Sequence, residues 1–105
     1  MKSYIGKITS VKIGKGGYQN AMIALIIDVK YAKDSHESDT TTVEFTGGWI
    51  HKKTESGEFT NRLTGLISEF DVESIDRLVD RLVRVYVPEY DDPLNARPYF
   101  EKIDL

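Results

Sequence analysis

Ala21-Met22-Ile23-Ala24-Leu25-Ile26-Ile27-Asp28-Val29-Lys30-Tyr31 is the stretch that decides the fold class. Ile23, Leu25, Ile27, Val29 and Tyr31 alternate with Met22, Ala24, Ile26, Asp28 and Lys30, the two-residue period of a β-strand. Its first half is apolar on both faces, which predicts a central strand covered on both sides. Ala21 to Ile27 is the longest apolar run in the chain, and it is far short of the roughly 20 residues that span a bilayer as a helix.

Toward the N-terminus, residues 3–13 mix β-branched and aromatic types. Alternation there predicts a strand with Ile5, Thr9, Val11 and Ile13 on one face and Tyr4 and Ile8 on the other. Gly14-Lys15-Gly16-Gly17 supplies residues tolerant of positive φ for a hairpin connection between the two strands. Toward the C-terminus, residues 32–39 are polar and turn-rich, which predicts a solvated loop. Thr40 to Thr46 reads as a third strand with Val43 and Phe45 facing in, and Gly47-Gly48 ends or bulges it.

A polar loop over 51–58 follows, and then the period changes. Phe59, Leu63, Leu66, Ile67 and Phe70 fall at helical spacing, as do Val72, Ile75, Leu78, Val79 and Leu82, with Asp71 placed to cap the second segment. Val83 to Val87 alternates again as a fourth strand closed by Pro88, residues 89–98 form a loop, and 99–105 can form a fifth strand. The expected class is therefore mainly β with one helical region, in the order β-β-β-α-β-β. Its 105 residues suit one domain. Closing five strands into a barrel with a helix at one end removes the exposed edges. An open sheet with helix on one face has the same element order.

In that order the chain resembles small OB-fold single-stranded nucleic-acid-binding proteins of the kind carried by phages and other mobile elements. The resemblance rests on the basic first strand with its glycine loop, from Gly6-Lys7-Ile8 to Gly14-Lys15-Gly16-Gly17-Tyr18. It also rests on Phe45-Thr46-Gly47-Gly48-Trp49 and on the junction Ile75 to Val87. It implies a five-stranded OB-like barrel that binds across strands two and three and their flanking loops, by aromatic stacking and contacts to the nucleic-acid backbone.

Charge is unevenly spread: residues 1–30 carry a net +4, residues 31–60 a net −3 and residues 61–105 a net −4. A basic N-terminal third on an acidic chain can present a local positive patch, although tight nonspecific binding to duplex DNA needs a denser basic footprint. The candidate nucleic-acid contacts are Lys12, Lys15, Tyr18, Trp49, Lys52 and Lys53, with Arg62, Arg84 and Tyr86 as second contributors. Trp49 stands out because two glycines precede it and let a ligand or backbone approach.

Other chemistries find little support. With no cysteine there is no disulfide framework, thiolate metal site or cysteine nucleophile, and a reducing, cytoplasmic setting is expected. The first residues lack the apolar core of a secretory signal, so none is expected. Gly14 to Tyr18 does not match a phosphate loop, because Lys15 precedes the last two glycines and a strand follows. Asp34, His36, Glu37 and Asp39 lack EF-hand spacing and read as a solvated acidic loop, so no metal or other cofactor is expected. No nucleophile elbow is present, and Glu69, Glu73, Asp76 and Asp80 read as a solvated helical face rather than a catalytic set. The expectation is a protein that is not an enzyme and binds single-stranded DNA or RNA. The alternative is a protein-interaction module, an adaptor or small inhibitor, that uses its acidic face and anchors at Tyr90, Asp91, Asp92, Tyr99 and Phe100. An edge strand would also permit homo-oligomers in either case.

Overall fold

The computed structural model describes residues 1–53, 57–89 and 97–103. Its five strands are β1 (Lys2–Gly16), β2 (Met22–Ala32), β3 (Ser38–Trp49), β4 (Leu82–Val87) and β5 (Tyr99–Lys102), and one α-helix, α1 (Glu58–Phe70), lies between β3 and β4. The strands form a single antiparallel sheet in the order β3-β2-β1-β4-β5. That hydrogen-bonded sheet is not closed, since β3 and β5 stand at opposite edges. The mainly β class and the element order thus agree with the sequence reading, while the expected ring of strands is absent among the described residues.

β1 serves two neighbours. Its first half pairs with β4 from Lys2↔Val87 to Lys7↔Leu82, and from Gly6 onward it pairs with β2. The register slips between Ile8 and Ser10, leaving Thr9 as an extra residue, and the Ile8 backbone turns to bond Asp80 and Arg81 instead. A bulge of this kind bends the strand and reverses which parity faces the core. The alternation expected for β1 therefore needs correction: Tyr4 and Ile8 face in before the bulge and Val11 after it, whereas Ile5 is exposed on the outer face.

The core joins the inner face of the sheet to the helical segment. Ile8, Leu25, Ile27, Val29, Val83 and Val85 are buried against Phe59, Phe70 and Leu78. Burying such side chains contributes roughly 1.5–3 kcal/mol each, the main driving force for seating α1 on the sheet. α1 ends at Asp71, which adopts the left-handed conformation (φ 52°) and donates its N–H to the Ile67 and Ser68 carbonyls. Asp71 thus closes the first helix rather than opening a second one. Of the expected second helix only the 3-10 turn Ile75–Leu78 forms, with Leu78 as its buried anchor. The acidic residues 69–80 consequently do not share one helical face.

Candidate nucleic-acid interface

The β1–β2 connection is shorter than the glycine run suggests. Gly14, Lys15 and Gly16 remain in β1, and the chain reverses over Gly17 to Ala21 through the 3-10 turn Tyr18–Asn20. Gly17 has φ 69°, and Gln19 and Asn20 also take positive φ at 52° and 54°. Two consecutive non-glycine residues there store strain in a turn that leaves Tyr18 69% exposed. The turn is fastened at its base by the Gly17 N–H donating to Glu44 Oε1 at 2.7 Å.

Trp49 comes to the same end of the sheet. It pairs with Met22, while Ala24 pairs with Thr46, so Ile23 alone faces both Gly47 and Gly48. The glycines therefore bulge β3 and do not end it, and the strand runs on to Trp49. Trp49 is half-buried, with its ring 6.0 Å from that of His51. The Ile50 N–H donates to the Ala21 carbonyl at 2.9 Å, which joins the end of β3 to the β1–β2 turn. Lys15, Asn20, Ala21, Ile50 and His51 line a shallow hollow of about 210 Å³ at this junction. Lys52 and Lys53 follow in the exposed 3-10 turn Ile50–Lys52 and its left-handed cap.

Register separates the remaining candidates. Lys12 pairs with Ile26 and Lys15 with Ile23, so the two lysines lie on opposite faces of β1. Lys12 shares the outer face with Trp49, but that face also bears Asp28 and Glu44. Asp28 accepts the Thr42 and Ser10 hydroxyls, and its carboxyl lies below the ordinary aspartate value because of those two bonds, with Lys12 adding a smaller attraction. The middle of the outer face thus holds hydrogen-bonded Asp28 and Glu44 beside Lys12 and Lys30, so its positive charge is offset there.

Arg62, Arg84 and Tyr86 do not join the Trp49 end. Arg84 sits opposite Ile5 and Glu101, seven residues along β1 from Lys12, or roughly 20 Å at strand rise. Tyr86 stacks on Tyr99 with centroids 4.5 Å apart, and hydrogen bonding to the Glu101 carboxylate pushes its phenol up. Arg62 lies 5.3 Å above the Phe45 ring beside a groove of about 370 Å³. Phe45 of β3, Tyr99 and Phe100 of β5, and Leu66 of α1 line that groove, which lies between the helix and the two edge strands.

Among the described residues, Lys12, Lys15, Lys52 and Lys53 form no salt bridge, whereas Lys7 pairs with Asp80 and Lys33 with Asp39. Asp34 accepts the His36 and Glu37 N–H groups and so caps its own loop. No cluster of three metal-ligating side chains occurs among the described residues, and no helix there is long and apolar enough to cross a membrane. Tyr90, Asp91 and Asp92 lie outside the described residues. His51, which packs beside Trp49, was not singled out by sequence reasoning, and a lone histidine after a tryptophan gives little signal. Comparison with protein-family models, curated proteins and solved structures returned no match.

Proposed function

We propose that the protein is a non-catalytic binder of single-stranded nucleic acid, acting through the end of the sheet where Trp49, Tyr18 and three lysines gather. The observation that carries this reading is the bulge at Gly47-Gly48. It extends β3 so that half-buried Trp49 reaches the end of the sheet that holds the β1–β2 turn, with Lys52 and Lys53 in the turn that follows it and Lys15 at the same end on the other face of β1, none of the three in a salt bridge among the described residues. Stacking platforms edged by mobile cations suit bases on a flexible backbone, each stacked base contributing roughly 1–3 kcal/mol.

The strand order supports an OB-like reading, because a five-stranded Greek-key barrel opened between its third and fifth strands has this arrangement. Trp49 is the sole tryptophan, so its fluorescence reports on the site. Titration with single-stranded oligonucleotides is expected to quench it with an affinity that falls as salt rises. Unchanged emission with both DNA and RNA overturns the proposal.

A protein partner is the second reading, favoured by a different surface. Ile5 and Leu82 are each 49% exposed on the outer face of β1 and β4, next to Arg84 and the Tyr86–Tyr99 stack. Apolar residues edged by arginine and tyrosine have the composition of protein interfaces. Loss of a stoichiometric protein partner on Leu82→Glu, with oligonucleotide binding absent, would decide for this reading.

A further inference from the structure

We propose that the cleft at the opposite end of the sheet is a second binding site, for a small organic anion with a flat apolar body and a carboxylate or phosphate head. Tyr4, Tyr31 and Val87 form its apolar wall and Lys2, Lys33 and Asp39 its polar rim, around a volume of about 440 Å³. That volume lies within the range of ligand cavities. Trp49 pairs with the first residue of β2 and Tyr31 is near its last, roughly 30 Å away at strand rise. The two sites are therefore separate, and this proposal does not rest on strand binding.

Tyr31 is the decisive residue. Its side chain is only 5% exposed, yet its hydroxyl has no hydrogen-bond partner among the described residues. No buried polar side-chain atom among the described residues lacks a partner, so the hydroxyl opens onto the cleft. The ring is fixed by stacking on Tyr4, with centroids 4.8 Å apart at 29°. Burial, then the nearby Asp39 carboxylate and Tyr4, push its phenol above the ordinary value, so it stays protonated and presents a donor.

A donor wants an acceptor, and Lys2 on the rim favours an anionic one. Asp39 is already engaged by Lys33 at 3.8 Å and by the Thr40 N–H at 2.8 Å. Lys2 forms no ion pair with a described residue and supplies a free positive charge at the mouth. A carboxylate or phosphate would accept from Tyr31 and face Lys2 while its flat body packs on Tyr4 and Val87. A cationic head at the Tyr31 hydroxyl would meet a donor rather than an acceptor, with the Lys2 ammonium at the mouth and the exposed Glu89 further along the rim.

The test is a heteronuclear NMR titration of the full chain with benzoate, phenyl phosphate, benzyl alcohol and benzylamine. Benzoate or phenyl phosphate should give saturable shifts at the Val87 methyls and the Tyr4 and Tyr31 rings, with benzyl alcohol at least tenfold weaker and benzylamine weaker still. Tyr31→Phe should weaken the anion about tenfold, as expected for losing a hydrogen bond to a charged group, and Lys2→Gln severalfold. Lys15→Gln, at the far end, should leave it unchanged. No saturable shift with either anion, benzylamine binding as well as benzoate, or full affinity in Tyr31→Phe overturns the proposal. Should Tyr31→Phe disturb the whole spectrum, the surface variant Lys2→Gln decides, and unchanged affinity there overturns it.

Discussion

The Thr42 hydroxyl donates to Asp28 Oδ1 at 2.7 Å from the position directly opposite on β3. The other carboxylate oxygen accepts the Ser10 hydroxyl of β1 at 2.8 Å, so one side chain ties three strands together on the solvent side. The arrangement gives an otherwise open outer face a polar clasp, and it places a fixed negative charge where the resemblance to nucleic-acid binders would want a positive one.

Those bonds favour the ionised carboxylate, and the Asp28 carboxyl is accordingly lowered from 3.8, by Thr42 first and Ser10 second. A depressed folded-state value means that the unfolded chain takes up the proton first as pH falls. The stabilisation is thus present above the unfolded value of 3.8 and lost as pH drops through the folded one. Asp28→Asn should lower stability by about 1 kcal/mol near neutral pH in urea unfolding. The gap between variant and parent should narrow below that range, and a gap that widens on acidification contradicts the assignment.

Two glycine-to-alanine changes should act with opposite signs. A Cβ on Gly47 would lie 2.7 Å from the Phe59 Cβ and 2.8 Å from the Ile23 Cγ2, so the bulge and the start of α1 cannot both keep their places. Gly47→Ala should cost roughly 1–3 kcal/mol, the range for overpacking a fitted contact. Gly65 is exposed inside α1 with open space where a Cβ would go, and Gly65→Ala should stabilise by roughly 0.5–1 kcal/mol through helix propensity. Thermal unfolding of the two variants checks both signs.

The C-terminus of α1 is held from outside the helix. Arg81 donates to the Phe70 carbonyl at 3.3 Å with its guanidinium 5.5 Å from the Phe70 ring centre, and Lys102 donates to the Glu69 carbonyl at 3.0 Å. Both cations face the negative end of the helix dipole and carbonyls with no partner within the helix. Arg81→Ala should lower stability by about 1 kcal/mol, with the largest loss of amide protection in hydrogen exchange falling in the last turn of α1. Uniform loss across the sheet would place the role of Arg81 elsewhere.

The legible parts of the fold were those whose signal is local. Ile23 to Tyr31 alternates because a covered sheet demands it, and Phe59 to Phe70 repeats at helical spacing because one face meets the sheet. The bulge at Thr9 was not legible, since its cause is a backbone exchange between Ile8 and residues 80–81, far along the chain. The failed second helix has a similar origin: Leu78 is drawn into the core from a tight turn, and periodicity alone does not distinguish that anchor from a helical one. At the candidate site, residue types were readable but grouping was not. Lys12 and Lys15 part company by strand parity after the bulge, and Arg84 and Tyr86 follow β4 to the other wing of the sheet.

That grouping gives the sharpest test of strand binding, because base stacking and phosphate contact leave different marks. Each phosphate neutralised on a single strand contributes about −0.7 to the slope of log affinity against log salt. Replacing Lys15, Lys52 and Lys53 together by glutamine should therefore flatten the slope by about 2 if all three meet phosphates. Lys12→Gln should change it much less, because the Asp28 charge already offsets Lys12 on that face. Trp49→Ala should weaken binding by roughly 1–3 kcal/mol while leaving the slope unchanged, since stacking releases no counterions. Fluorescence anisotropy of a labelled oligonucleotide at several salt concentrations measures all of these, the alanine variant included. If the triple lysine variant keeps the parental slope, phosphates do not lie along the Trp49 end, and the strand-binding proposal fails even where Trp49 emission responds.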